Sequence, residues 1–203
     1  MLDGRVLRAE RSRASIVGAL FELVGEGILT PTAQQVAERA GVGIRSVFRH
    51  FSDMESLFAA MDARLVSEVT PLLAEAHTGG GLRARARGLV ERRVRLFERL
   101  APYKRSANLV RWRSPFLRAR HGALVRTLRA DLLRWLPELR SAPTDLLEAL
   151  DVATSFEAWD RLRSDQRLSR ERAQAALERT VQALAGALGK PPSPAVPSAR
   201  GSR

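Results

Sequence analysis

Apolar residues along this chain recur every three or four positions rather than every second, and no alternating segments are joined by an Asn-Gly type turn. The pattern predicts an all-α protein. The first stripe, Ile16, Leu20, Leu23 and Val24, belongs to a helix over about 8–24 that stops at Gly25-Glu26-Gly27. Thr32 opens a short second helix: with Gln35 three places on it has the form of a capping box, and Gly41 stands just past the end. A third helix is expected over about 44–51. A fourth begins at Ser52 or Asp53, where an acidic first turn (Asp53, Glu55) suits the helix dipole, and Pro71 ends or kinks it. After the joint HTGGG at 77–81, five more stretches follow: about 82–100 closed by Ala101-Pro102, 103–112 closed by Ser114-Pro115, 116–136 closed by Pro137, 143–163, and 169–188 behind Ser169. About nine helices result. The tail KPPSPAVPSARGSR is Pro/Ser-rich and reads as disordered.

The second and third helices are joined by Gly41-Val42-Gly43, and a tight turn straight after a helix wants the positive φ that glycine adopts at little cost. Stepping about 100° per residue from Ile44 places Ile44, Val47, Phe48 and Phe51 in one arc, expected toward the core. Arg45, Ser46, Arg49 and His50 fill the opposite arc. Arg45 and Arg49 are one helical turn apart, so their charges repel mildly, and guanine edges or phosphates are acceptors that relieve this. Two short helices with a basic outer face on the second have the shape of a helix-turn-helix. A solvated amphipathic helix is the other reading of the same spacing.

Composition sharpens this picture in part. A chain of 203 residues, 45% of them hydrophobic, can bury a real core. Cysteine is absent, which removes disulfides, thiolate metal sites and cysteine nucleophiles and suits a reducing cytoplasm. No secretory leader and no run near the roughly 18 apolar residues of a membrane span is seen, so a soluble, cytoplasmic protein is expected. The formal charge is +12, yet residues 1–60 are neutral, while residues 81–140 hold 17 cations against 4 carboxylates. The charge argument for nucleic acid therefore weakens at the turn and gains in the middle of the chain. Three scattered histidines (His50, His77, His121) make no metal cluster, and GxSxG, GxxxxGK[ST] and HExxH are all missing, so neither an enzyme nor a cofactor is expected.

Residues 32–57, TAQQVAERAGVGIRSVFRHFSDMESL, closely resemble the DNA-binding motif of TetR-type transcriptional regulators, without insertion. The matches are Thr32, Val36-Ala37, Ala40-Gly41-Val42, His50-Phe51, Glu55 and Leu57. Gly43 stands where that family usually has Ser, Arg45 where Gly is common, Ser46 for Thr, Phe48 for a Tyr that reaches phosphate, and Met54 for a Lys that grips it. The resemblance implies base readout from Gln34, Ile44, Arg45, Ser46 and Arg49, with backbone contacts from Thr32, Phe48 (non-polar only) and His50. Ile44 reaches a thymine methyl only if it leaves the core side of the wheel. His50 either bonds phosphate or packs at the corner before the fourth helix, and Arg5, Arg8, Arg11 and Arg13 either follow the DNA backbone or are solvated.

The same resemblance implies a DNA-binding domain over 8–68 with its motif at about 32–51, a helical regulatory and dimerisation domain over 69–189, and the tail from 190 to 203. It further implies a homodimer on double-stranded, palindromic operator DNA, released when a small-molecule effector binds, and most often a repressor. An activator, a ligand-independent regulator or a helical adaptor without DNA affinity are the alternatives. Phe97, Tyr103, Trp112, Phe116 and Trp135 are the candidate pocket aromatics. Leu146, Leu150, Phe156, Trp159, Leu177, Val181 and Leu184 are candidates for the dimer surface. If some of Arg92, Arg93, Arg111, Arg113, Arg118 and Arg120 point inward they favour an anionic effector; outward they face solvent, DNA or a partner.

Overall fold

The computed structural model describes residues 4–74 and 79–188. The tail at 190–203, together with His77 and Thr78 of the joint, lies outside the described residues. Among those described there are nine α-helices and no strand: α1 (Gly4–Gly25), α2 (Ala33–Ala40), α3 (Ile44–His50), α4 (Met54–Ala74), α5 (Leu82–Val110), α6 (Pro115–Trp135), α7 (Thr144–Ala153), α8 (Phe156–Asp160) and α9 (Arg170–Ala185). No described helix is long and apolar enough to cross a membrane.

The count agrees with the sequence pattern, but two boundaries do not. Pro102 does not close a helix: α5 runs unbroken through it for 29 residues. A proline inside a helix costs about 3 kcal/mol. Around it Leu96, Phe97, Leu100, Ala101 and Tyr103 are all buried, at about 1.5–3 kcal/mol for each large side chain, so tertiary burial outweighs the local break. Pro71 is likewise carried inside α4. The stretch 143–163, by contrast, divides. The Thr154 hydroxyl donates to the Leu150 carbonyl at 2.7 Å, and the Ser155 hydroxyl accepts from the Ala158 N–H at 3.1 Å, ending α7 and starting α8.

The described residues form two compact units that do not follow chain order. One joins 4–74 to 95–126; the other joins 79–94 to 127–188. Helices α5 and α6 thus each contribute to both. In the first unit α1 packs on α2, α3 and α4. Its buried stripe of Ile16, Leu20, Leu23 and Val24 is the one read from the sequence.

The second unit has a core of Leu89, Val90, Leu132, Trp135, Leu136 and Leu139 with the buried faces of α7 to α9. Five of the seven residues expected at a dimer surface, Leu150, Phe156, Trp159, Leu177 and Val181, belong to this core and are fully covered within the single chain. Helical spacing identifies an apolar stripe but not what covers it. Leu146 and Leu184 keep part of their surface, and Val152 is 69% exposed.

The same unit absorbs much of the Arg-rich segment. Arg92, Arg93 and Asp131 are all buried. Arg92 pairs with Asp131, and Arg93 donates to the Leu128 carbonyl at 2.6 Å and lies 3.3 Å from Asp131. Burial lowers the Arg93 pKa to about 10, against the raising effect of Asp131, so it stays charged at neutral pH. Arg85 pairs with Glu138, Arg87 with Glu178, and Arg129 with both Glu148 and Asp151.

Asp131 therefore faces two buried guanidinium groups, and removing it should cost far more than loss of a surface pair. Asp131→Ala is expected to lower unfolding free energy by about 3–5 kcal/mol in urea denaturation. Glu178→Ala, which breaks the exposed pair with Arg87, should cost no more than about 1 kcal/mol.

Candidate nucleic-acid interface and cavity

Helix α2 is closed at both ends by its own sequence. The Gln35 N–H donates to Thr32 Oγ1 at 3.2 Å and the Thr32 N–H donates to Gln35 Oε1 at 2.9 Å, completing the capping box. Gly41 takes the left-handed conformation at φ 67° and its N–H returns to the Ala37 and Glu38 carbonyls. Two contacts fix α2 to α1. Ser15 Oγ donates to the Ala40 carbonyl at 3.1 Å, and Arg39 spans both oxygens of Glu26 at 2.7 and 2.8 Å, holding that carboxyl below its usual pKa.

Helix α3 follows after Gly43, which offers no side-chain cap. Only Val47 in α3, and Phe51 just past it, are buried. Ile44 and Phe48, expected toward the core, are instead 40% and 51% exposed. A seven-residue helix lying on its supports by one narrow edge buries one or two side chains, so half of the apolar arc remains outside. The exposed face is then a continuous arc of Ile44, Phe48, Arg45 and Arg49. Ile44 is thereby free to meet a thymine methyl. Ser46 accepts from Arg49 Nη2 at 3.2 Å, and exposed Gln34 on α2 donates to Glu38 at 2.7 Å; both side chains must exchange these bonds to read a base. Thr32 is exposed but its hydroxyl serves the cap.

Beside this arc, Arg8, Ser12, Arg49 and His50 line one notch. His50 Nε2 is buried there without a hydrogen-bond partner. Two guanidinium groups, a hydroxyl and an unsatisfied imidazole nitrogen suit a phosphate. Arg11 and Arg13 are engaged elsewhere, with the Leu7 carbonyl at 3.3 Å and over the Phe51 ring at 5.0 Å. In the first turn of α4, Met54 offers no charge, while Asp53 caps the helix through the Ser56 N–H at 2.7 Å.

A cavity of about 100 Å³ lies in the same unit among α4, α5 and α6. Of the five expected aromatics only Tyr103 lines it. Phe97 is buried away from it, Phe116 is not part of its wall, Trp112 is 76% exposed, and Trp135 belongs to the core of the second unit. The wall is mostly aliphatic, with Phe58, Met61, Leu65, Val69, Leu100, Leu117 and Leu124, and its polar members are Asp62, Lys104, Asn108, Arg111, Arg120 and His121. Of the six arginines with two possible orientations, Arg111 and Arg120 face the cavity, Arg113 and Arg118 are exposed, and Arg92 and Arg93 are core. Lys104, Asn108 and Arg111 of the polar set stand at positions i, i+4 and i+7 within the helix expected over 103–112, a register legible in the sequence although nothing in it says which face meets a cavity.

Tyr103 of the cavity wall, with Ser106 and Ser114 near it in the chain, also touches α1, the loop after it and α4. The Tyr103 ring lies 4.5 Å from that of Phe21 in α1, and its hydroxyl donates to the Phe21 carbonyl at 3.4 Å. Three residues on, Ser106 donates to the Leu29 carbonyl at 2.6 Å. Ser114, before α6, bonds Glu55 in the first turn of α4 and accepts from the Leu117 N–H at 3.1 Å.

Comparison with known proteins agrees with this geometry. Residues 16–61 match the model of bacterial regulatory proteins of the tetR family. A solved transcriptional regulator from Rhodococcus sp. Rha1 is similar in fold, with a TM-score of 0.69 and 24% identity over 89% of this chain and 99% of that one. A TetR transcriptional regulator from Rhodococcus sp. RHA1 gives 0.51 and 21% over 87% and 98%. No curated protein matches significantly.

If the notch holds one phosphate, Arg8→Ala should weaken binding to specific and random duplexes alike. The slope of log K against log salt should become shallower by about 0.9 per lost contact in fluorescence anisotropy. An unchanged slope would remove Arg8 from the interface.

Proposed function

With a tetR-type helix-turn-helix at residues 16–61 on a helical fold shared with solved regulators, we propose that this chain is a ligand-released transcriptional repressor that binds a palindromic operator as a dimer. The exposed arc of Ile44, Phe48, Arg45 and Arg49 carries the reading. Its arginines are of the type that bonds guanine edges, its apolar half suits thymine methyls, and the notch beside it suits phosphate. One seven-residue helix spans only about 10 Å of groove. Two such helices about 34 Å apart read enough base pairs for specificity, which requires a second copy. The surface left for that copy includes Leu146, Val152 and Leu184, since Leu150, Phe156, Trp159, Leu177 and Val181 are core.

Release follows from the cavity wall. A molecule entering it presses on Tyr103 and Leu117, which are coupled to Phe21 in α1 and, through Ser114, to Glu55 in α4. A coupling free energy of about 1–3 kcal/mol would loosen DNA about 5 to 150-fold.

Anisotropy with duplexes tiled across the DNA upstream of the protein's own reading frame tests the first step. One palindromic tile is expected to bind at least 100-fold more tightly than random sequence, and Arg45→Ala with Arg49→Ala should lose about 1–3 kcal/mol per missing base contact. Uniform binding to every tile would refute a sequence-reading regulator. In sedimentation velocity Val152→Glu is expected to convert a dimer into a monomer while leaving helical content unchanged; a dimer that persists would place the interface elsewhere.

A further inference from the structure

We infer that Arg113, in the turn between α5 and α6, grips a phosphate of the DNA backbone beside the first turn of α4. The inference rests on the DNA-binding reading above and adds to it a contact from outside the helix-turn-helix.

Arg113 ends the 3-10 turn Arg111–Arg113 that leads from α5 into α6. Hydrogen bonds hold this turn on both sides. The Ser114 N–H donates to the Arg111 carbonyl at 3.2 Å, and the Arg118 guanidinium donates to the Trp112 carbonyl at 2.8 Å. The hydroxyl of Ser114, a buried residue, donates to Glu55 in α4. Arg113 is thereby tied to the first turn of α4, and its side chain lines one notch with Met54, Glu55 and Phe58.

Its charge sets it apart. Eight arginines between residues 81 and 140 meet carboxylates, whereas Arg113 is exposed and makes no ion pair among the described residues. Glu55, the one carboxylate of the notch, is engaged by Ser114. Met54, Phe58 and Val110 offer an apolar floor along which an arginine stem can lie while its guanidinium stays in water. A fork of donors presented in that way suits a phosphate.

The position favours a nucleic-acid backbone over any other acid. His50, in the phosphate notch beside α3, precedes Met54 by four residues, so their Cα atoms lie within about 14 Å of each other. One DNA strand carries a phosphate about every 3.4 Å along the helix axis, so about four successive phosphates span that distance. A single backbone can then pass both notches, with Arg8, Arg49 and His50 at one end of the run and Arg113 at the other. The contact also answers a shortage: residues 1–60 carry no net charge, and Met54 brings none to the start of α4.

Fluorescence anisotropy on the most tightly bound upstream tile, repeated across salt concentrations, tests the grip. Arg113→Ala is expected to make the slope of log K against log salt shallower by about 0.9, so that over a fourfold rise in salt its affinity falls about 3.5-fold less than that of the unmodified protein. Arg113→Lys should keep the slope. Met54→Lys added to Arg113→Ala returns a cation to the same notch and should restore it. Arg126→Ala removes an equal charge from α6, about 16 Å along that helix from its start, and should leave the slope unchanged. Melting by circular dichroism reports whether each variant folds. A slope that Arg113→Ala does not change, or that Arg126→Ala lowers as much, overturns the grip while operator binding stands. Failure of Met54→Lys to restore it would place the lost phosphate away from this notch. Equal binding of every tile by the unmodified protein refutes the operator reading instead, and the same slopes on random duplex then decide for or against Arg113; no binding to any duplex refutes both.

Discussion

Helix α3 is seven residues long, and a helix that short is not stable alone in water, where about 12–15 residues are needed even for favourable sequences. It must also keep one face open if it is to meet DNA. These two demands conflict, because the burial that normally stabilises a helix would cover the surface it has to present. The resolution is an edge-on placement. Val47 and Phe51 alone go inside, and order is supplied from neighbouring elements: the reciprocal cap of α2, the left-handed Gly41, Ser15 on the end of α2, and the Arg39 to Glu26 pair on the end of α1. None of these groups belongs to α3, yet each limits where α3 can lie.

The excess positive charge is placed differently from what a total of +12 suggests. Residues 1–60, which hold α1 to α3 and the start of α4, carry no net charge. In the middle segment Arg85, Arg87, Arg92, Arg93, Arg99, Arg120, Arg129 and Arg134 meet carboxylates, several across long sequence separations, such as Arg87 with Glu178. Arg92 and Arg93 are taken inside beside Asp131, and at Arg93 desolvation opposes the charge while Asp131 favours it. A buried ion pair is weak as a source of stability, but it punishes any packing that separates its partners. In the second unit that effect fixes the mutual register of α5 and α6, whose apolar residues would tolerate slippage. Charge here acts mainly as an internal fastener.

The sequence revealed the fold class, the turn and most helix ends because those depend on local chemistry: periodicity, a capping pair, a glycine with positive φ. It failed where the answer depends on what lies opposite. Pro102 looked like a terminator because its local cost is fixed, whereas the burial that outweighs it comes from residues far along the chain. Leu150, Phe156 and Trp159 looked available because a stripe has no label for its partner. Ile44 and Phe48 looked buried for the same reason. In the cavity, aromatic residues were a poor guide, and only Tyr103 was found; the lining is largely aliphatic, and it runs from Leu100 past Tyr103 to Lys104 and Asn108 because α5 is continuous through Pro102.

That continuity also bears on how a small cavity can act on a distant surface. Within the first unit, Tyr103 is wall to the cavity and neighbour to Phe21, and Ser106 one turn later holds the carbonyl of Leu29. An aromatic pair contributes about 0.5–1.5 kcal/mol beyond its buried area, and a neutral hydrogen bond about as much. Losing one of each comes to about 1–3 kcal/mol, the same size as a typical coupling between two sites. No large rearrangement is then required of a small ligand. It needs only to make the position of Tyr103 that favours α1 less comfortable than another, and the narrow seat of α3 on its supports does the rest, since a helix held by two buried side chains has little to resist with.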